Sequence, residues 1–451
     1  MRYVLLSSLL LALFSSALSA QQYDNDLLYR KWRVTLFQPI GTNGTKSLNY
    51  TAKRSINLLY GYHGGLEGWE VGVLVNRTKY DVNGVQLAGL ANITHDDYNG
   101  MGIAGLLNYT DDDVSGFQIA GLSNFNKGNM EGMLIAGGFN ISGQSMTGLQ
   151  AALLGNYSSS YTEGLQASGF LNYSGGQVTG LRASGGFNIN KGYSEGLAAA
   201  GIANISEGHV SGLYAAGVFN LSPSFEGLAA AGLANISREA EGLQFAMGAN
   251  ITEKAEGLQI AFINIAKEFN GAPIAFLNLY GNGRYNVGTR YSDAGFNDFS
   301  LTTGTHRVYN SLIFGTNSSL DRDVYRFGLA VGVEKNIQDS FEKIKSNSLF
   351  VNQEFSILHH FEGDWDRTTN LLFSYRYMVG KRFGDYWSVY AGPTLNALVS
   401  RVDAANDYTW YSLWSPTRNG RQYRFWVGFT LGTRLFKQKN LPLMDDENWN
   451  Y

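Results

Sequence analysis

The side chains of this chain best suited to chemistry are a run of carboxylates. Asp81, Asp97 and Asp113 stand sixteen residues apart, as do Asp96 and Asp112, with Asp111 and His95 beside them. Carboxylates brought together repel unless a hard cation bridges them or water solvates them. Asp97, Asp112 and Asp113 are therefore candidate ligands for a weakly held Ca²⁺; the alternative is a solvated acidic edge relieved by Lys79 and Lys127. A second group, His359, His360, Glu362, Asp364 and Asp366, has ligand-type side chains at no recognised metal-site spacing. It reads as a polar hairpin loop. His63, His95, His209 and His306 are isolated in the sequence and read as surface or locally hydrogen-bonded. No H-E-x-x-H or phosphate-binding loop occurs, so no cofactor other than the Ca²⁺ is expected.

A repeat must position the acidic residues. Gly68, Gly84, Gly100, Gly116, Gly132, Gly148, Gly164, Gly180, Gly196 and Gly212 recur every sixteen residues, and Gly227, Gly242, Gly257 and Gly271 continue at slightly shorter spacing. Fourteen copies of a unit near G-L-x-x-A-G-L-x-N-I-S imply stacked supersecondary units rather than an ordinary globule. Read as extended chain, Gly164-Leu-Gln-Ala-Ser-Gly-Phe-Leu-Asn-Tyr173 puts alternate residues on opposite faces. Each unit then reads as one coil of a β-solenoid with two short strands and two turns.

Eight residues after each of the first twelve glycines stands an asparagine: Asn76, Asn92, Asn108, Asn124, Asn140, Asn156, Asn172, Asn188, Asn204, Asn220, Asn235 and Asn250; in the last two units it comes one place earlier, at Asn264 and Asn278. One carboxamide per coil can hydrogen-bond to those above and below, forming a ladder that fixes register. Ten of the first twelve begin N-x-S/T, which is also the N-glycosylation pattern; a ladder followed by a turn hydroxyl is the reading that fits a stacked repeat. Gln86, Gln118, Gln150, Gln166, Gln244 and Gln259, with Tyr214 in the equivalent slot, read as an outward surface for a glycan or protein ligand, or as a hydrogen-bonded glutamine row. From the Gly84 unit onward, Arg182 is the lone charge at that slot.

Residues 1–20 have the pattern of a secretory signal, with Arg2, an apolar run from Val4 to Phe14 and small residues up to Ala20; cleavage after Ala17 competes with cleavage after Ala20. No stretch approaches eighteen apolar residues, so no transmembrane helix is expected. The absence of cysteine excludes disulfides and thiol chemistry and suits a bacterial envelope. With 34 basic and 37 acidic residues, electrostatic capture of nucleic acid is not supported.

After the repeats the pattern changes. Tyr325-Arg-Phe-Gly-Leu-Ala-Val-Gly-Val333, Leu371–Tyr377 and Tyr423–Leu431 alternate large apolar with small or polar residues, and weaker strands fall near 284–291, 297–303, 307–315, 346–358 and 386–400. About eight strands suit a small transmembrane barrel, or equally a soluble antiparallel sheet. The expected organisation is a signal peptide (1–20), N-terminal strands or cap (21–67), a repeat solenoid (68–280), an antiparallel β-domain (281–436) and a polar tail (437–451). A lipid-spanning barrel made of the repeats themselves is rejected, because their loops are uniform and aromatic girdle positions few.

The unit Gly84-Val-Gln-Leu-Ala-Gly-Leu-Ala-Asn92, with the flanks Phe37-Gln-Pro-Ile-Gly-Thr-Asn43, Asn282-Gly-Arg-Tyr285 and Gly304-Thr-His-Arg-Val-Tyr309, resembles bacterial surface-repeat proteins of spirochaetes and Bacteroidetes. The resemblance covers residues 31–315. It implies an envelope or surface location and brings no activity or ligand; the location expected for the chain is the bacterial outer membrane or cell surface. The expectation is thus a non-catalytic, structural or adhesive repeat protein. The alternatives are an outer-membrane pore with a solenoid plug and, third, a carbohydrate-active β-helix enzyme, which would need paired carboxylates on one strand face.

Overall fold

The computed structural model describes residues 27–337, 349–362, 368–384, 386–402 and 407–435. The expected signal segment and polar tail, with Asp364 and Asp366, lie outside the described residues. The chain is all-β: a solenoid of about thirteen turns with sixteen-residue spacing, followed by a closed eight-stranded antiparallel barrel. This is the expected fold class, with about one coil fewer than the fourteen repeat glycines suggest. Compact units divide at Glu226 and Gly227, within the repeats.

A typical coil has strands Val114–Ala120 and Ser123–Asn126, joined by turns at Gly121–Leu122 and Lys127–Asn129. Equivalent strands of successive coils pair in parallel and in register, Gly116 between Gly100 and Gly132, Asn124 between Asn108 and Asn140. The turns pair likewise: Leu122 N–H donates to the Leu106 carbonyl at 3.0 Å and Lys127 N–H to the Thr110 carbonyl at 3.1 Å. Coil stacking thereby satisfies backbone groups at both edges of the solenoid. Before the first full coil, Arg33–Phe37 pairs in parallel with Tyr50–His63, so the N-terminal strands continue the stack.

Repeat glycines are dictated by this stacking. Those described from Gly84 to Gly271 have φ between +108° and +151°. A Cβ on Gly148 would collide with the carbonyl oxygen of Gly132, one coil earlier. Both the dihedral and the close approach require glycine.

The polarity of the coil is the reverse of the one expected for the glutamine slot. Gln86, Gln118, Gln150, Gln166, Tyr214, Gln244 and Gln259 are all buried in the interior. The outward-surface reading of these seven residues is therefore wrong. The strand does alternate, but its inner face is the polar one: Gln, Asn and Ser/Thr point in, together with a file containing Leu66, Val82, Tyr98, Val114, Met130 and Met146. Most Leu, Ile and Phe side chains of the coils point out, Leu66 and Leu134 being among those that point in. A narrow interior can accommodate polar groups when the next coil always supplies a partner.

In the second unit the barrel strands are β1 (Arg284–Ser292), β2 (Phe296–Gly304), β3 (Val308–Asn317), β4 (Val324–Asn336), β5 (Leu349–Glu362), β6 (Asn370–Phe383), β7 (Trp387–Ser400) and β8 (Arg421–Leu435). They follow the expected strands, with bounds that differ by a few residues at the ends. β1 closes on β8, from Val287 opposite Leu435 to Ser292 opposite Thr430. The last coil meets the rim of this barrel. Asn278 N–H donates to Thr303 Oγ1 at 3.1 Å, and the Tyr285 hydroxyl donates to the Tyr280 carbonyl at 2.8 Å.

Replacing Gly148 with alanine should cost about 2–3 kcal/mol or more through strain and the blocked carbonyl. Thermal unfolding followed by circular dichroism should show a lowered midpoint, with Thr147→Ala beside it near neutral.

Candidate functional site

The asparagine ladder is continuous within each unit. Asn92 Nδ2 donates to Asn108 Oδ1 at 2.9 Å and to the Ile103 carbonyl at 3.0 Å, and the pattern repeats coil after coil. From Asn140 through Asn156, Asn172, Asn188 and Asn204 to Asn220, every amide points the same way. In the second unit the file runs Asn235, Asn250, Asn264, Asn278 and ends on Asn310 of barrel strand β3. These side chains are buried, which gives the N-x-S/T pattern its structural meaning. The hydroxyl faces inward rather than lying in a turn: Gln118 Nε2 donates to Thr110 Oγ1 and Gln150 Nε2 to Ser142 Oγ, each at 3.1 Å.

The glutamines form the hydrogen-bonded row in places, with Gln166 donating to Gln150 at 2.9 Å and Gln259 to Gln244 at 2.7 Å. Tyr214 fills the same slot and donates to Ser194 Oγ at 2.7 Å. Ser194 lies in Gly192-Tyr-Ser-Glu-Gly196, which matches the G-x-S-x-G nucleophile pattern by letter. It sits on a parallel coil strand and faces inward, without the strand-to-helix elbow that exposes such a serine. Arg182, also buried, donates to Asn190 Oδ1 at 2.8 Å and to the Ile189 carbonyl at 3.2 Å.

Both polar files begin at a cluster that sequence reasoning missed. Glu70 occupies the glutamine slot of an early coil and accepts from Arg33 at 3.1 Å, from Ser55 and Asn57 at 2.8 Å each, and from Gln86 at 2.8 Å. Burial pushes its pKa up, but Arg33 and these donors outweigh that and hold it below the ordinary carboxylate value. His63 is pushed down to about 3 by burial and by Arg33. A neutral ring fits its contacts: Asn57 uses its amide as donor to Glu70 and Asn76, so its Oδ1 must accept from His63 Nε2 at 2.9 Å, while Ser47 donates to Nδ1 at 2.8 Å. His63 is thus the start of the ladder rather than an isolated histidine. The signal was Glu70 standing where later coils carry glutamine.

The acidic edge assembles as the spacing predicts. Asp97, Asp112 and Asp113 offer oxygens within 4.8 Å of one another, as do Asp81, Asp96 and Asp97. One file already has a backbone role: Asp81 accepts from Asp97 N–H and Asp97 from Asp113 N–H at 3.2 Å each, and Asp113 accepts from Asn129 N–H at 2.6 Å. Burial, then repulsion from Asp96, pushes the Asp81 carboxyl up to about 7. Asp111 goes the other way. Partial burial pushes it up, but Lys127 at 2.5 Å, Tyr109 and His95 hold it well below the ordinary value.

In the barrel, Arg284, Arg382 and Arg434 surround Glu334, and Arg290 and Arg326 clasp Asp298 while Arg290 and Arg376 hold Glu354. His359 and His360 are on strand β5, not in a loop. His360 is buried between Phe296 and Tyr408, with ring centroids 4.9 Å from each. No protein-family model, curated protein or solved structure matches the chain.

Two outcomes test this reading. Asn156→Asp can still accept from Asn140 but, when ionised, cannot donate to Asn172 or the Ala167 carbonyl. Burial raises the folded pKa of such a carboxyl above its unfolded value, so its stability penalty should be largest at neutral pH and shrink as pH falls toward 4. Loss of the donated bonds should cost about 2–4 kcal/mol at pH 7, read by chemical denaturation. For Asp81, a folded pKa raised above the unfolded one means that wild-type stability falls as pH rises from about 4 to about 7. Asp81→Asn, the residue type already found at Asn129, should therefore gain on wild type across that window, by on the order of 1 kcal/mol. Millimolar Ca²⁺ raising the wild-type midpoint and not that of Asp112→Asn/Asp113→Asn would establish the cation; an unchanged midpoint leaves the solvated edge.

Proposed function

We propose that this protein is a non-catalytic component of a bacterial cell envelope, anchored in the outer membrane by its eight-stranded barrel and carrying the solenoid as a rigid structural element. The observation that carries this reading is the polarity of the barrel wall. Along β4, Tyr325, Phe327, Leu329, Val331 and Val333 are exposed, while Arg326, Ala330 and Glu334 between them are buried. Apolar side chains outside and ion pairs inside suit lipid around the barrel, since water would reward the opposite arrangement. Closure leaves no strand edge unpaired, as a bilayer requires.

Exposed aromatic residues stand at both ends of the wall, and Phe355, Tyr375 and Tyr377 lie between them. Tyr285, Phe383 and Trp387 stand at the end near the last coil, with Phe383 and Trp387 stacked at 4.7 Å. Tyr291, Phe314 and Tyr325 stand at the other. Tyr and Trp at the two ends suit the two headgroup layers. Strands of nine to fifteen residues are long enough to cross.

Eight strands enclose a space that side chains fill, and here the arginine–carboxylate groups and the Phe296, Leu358, Leu398 and Trp426 cluster occupy it. That supports an anchor over a pore. Buried carboxylates committed to arginine or ladder donors also weigh against a glycosidase-like pair. The side chains available for adhesive contact are the stacked pairs Tyr109–Phe125 and Tyr157–Tyr173 and the charged edge, in place of the glutamines.

Cell fractionation tests the reading. The chain should stay in carbonate-washed outer membranes, and Leu329→Arg, in the middle of the apolar band, should lower folding stability in lipid vesicles by about 2–4 kcal/mol. Release by carbonate, with Leu329→Arg harmless, would overturn it.

A further inference from the structure

The solenoid coil of the first unit is amphipathic across its section. At the turn Gly121–Leu122 and its equivalents, the five-residue stretches Leu87–Ala91, Ile103–Leu107, Ile119–Ser123, Ile135–Phe139, Ala151–Gly155, Ala167–Leu171, Ala183–Phe187, Ala199–Ala203 and Ala215–Phe219 hold only Ala, Gly, Ser, Ile, Leu, Val and Phe. Stacked in register, they make an edge from which Leu106, Leu122, Leu154, Phe170 and Ile202 protrude; Leu122 is 56% and Phe170 55% exposed. The opposite edge carries His95, Asp96, Asp112, Lys127, Lys191 and Glu207. Charge on the outer surface of these coils is confined to that edge and its margin, where Glu131, Glu163 and Glu195 lie.

We infer that the apolar edge of the solenoid is seated in the interfacial layer of a lipid bilayer, with the charged edge in water. Three observations favour lipid over a protein partner. The turns of the apolar edge have their N–H groups bonded to the preceding coil, Gly105 to the Ala88 carbonyl at 3.1 Å and Leu106 to the Leu90 carbonyl at 2.9 Å, so this backbone needs no water. The stripe repeats from coil to coil without charged groups that would set a register, whereas specific protein interfaces carry a polar rim. Tyrosines mark the boundary: Tyr109, Tyr157 and Tyr173 lie on the outer face toward the charged edge, and the Tyr109 hydroxyl reaches Asp111 at 2.7 Å. An apolar ring with a polar tip settles at the level of lipid headgroups. Burial of about 5–10 Å, the depth of an interfacial amphipathic element, would cover the edge and leave the acidic file in water.

The inference rests on the barrel reading only for the presence of a bilayer, and one experiment separates the two. The chain has no cysteine, so single nitroxide labels can be placed at Leu122→Cys and Ile202→Cys on the apolar edge, Lys127→Cys and Lys191→Cys on the charged edge, and Val331→Cys on the barrel wall. The full chain is reconstituted in phosphatidylethanolamine–phosphatidylglycerol vesicles, and collision with oxygen is compared with collision with a water-soluble nickel chelate. The expected result is an oxygen-to-nickel ratio several-fold higher at Leu122 and Ile202 than at Lys127 and Lys191. Equal ratios at the two edges overturn the inference, and if Val331 still reads lipid the barrel reading survives alone. Protection of Leu122 and Ile202 from both reagents also overturns it, in favour of a second copy or a protein partner. If Val331 reads water while Leu122 and Ile202 read lipid, the edge inference stands and the barrel reading fails.

Discussion

The rest of the solenoid depends on a hydrogen bond that can be repeated without limit. A carboxamide is both donor and acceptor, so asparagines one coil apart can bond head to tail in a single direction, with a second N–H left for a backbone carbonyl. In a low-dielectric interior such bonds polarise one another, and an unpaired member is costly. Register therefore cannot slip by one residue without orphaning every amide in the file. Parallel pairing, sixteen-residue spacing and glycine at the one position of close backbone approach all follow from keeping those amides aligned.

A one-way file must end somewhere at each terminus. At its start, a neutral His63 held by Ser47 donates to the first carboxamide, and Glu70 receives the spare donors of Asn57 and Gln86. At its finish in the second unit, Asn278 donates to Asn310 on a barrel strand. The charged cluster of the early coils and the rim of the barrel thus solve the same problem, satisfying groups that stacking alone would leave exposed.

Placing polar groups inside leaves apolar ones outside, and the barrel shares that inversion. Its arginines pair with Asp298, Glu334 and Glu354 within, while Phe, Tyr, Leu and Val face out. The acidic edge of the solenoid is where water returns. There Asp81, Asp97 and Asp113 turn a repulsive file into caps for the next coil's N–H, and Asn129 continues the file without charge.

Period, coil architecture, the asparagine ladder, the alignment of the aspartates and the positions of the barrel strands were all legible in the sequence. Each depends on spacing, and spacing survives into a structure built by translation. Which face of the coil points inward was not legible. Alternation divides Gln166 and Asn172 from Leu165 and Ala167 but carries no sign, and the habit of placing leucine inside gave the wrong one for the glutamines and Tyr214. Only the stacked coils decide it, because a glutamine is tolerable inside when another coil's Ser, Thr or Gln lies within reach. The role of Glu70 was hidden for a related reason: its partners Arg33, Ser55, Asn57 and Gln86 are scattered along the chain, and only the tertiary fold gathers them around one carboxylate.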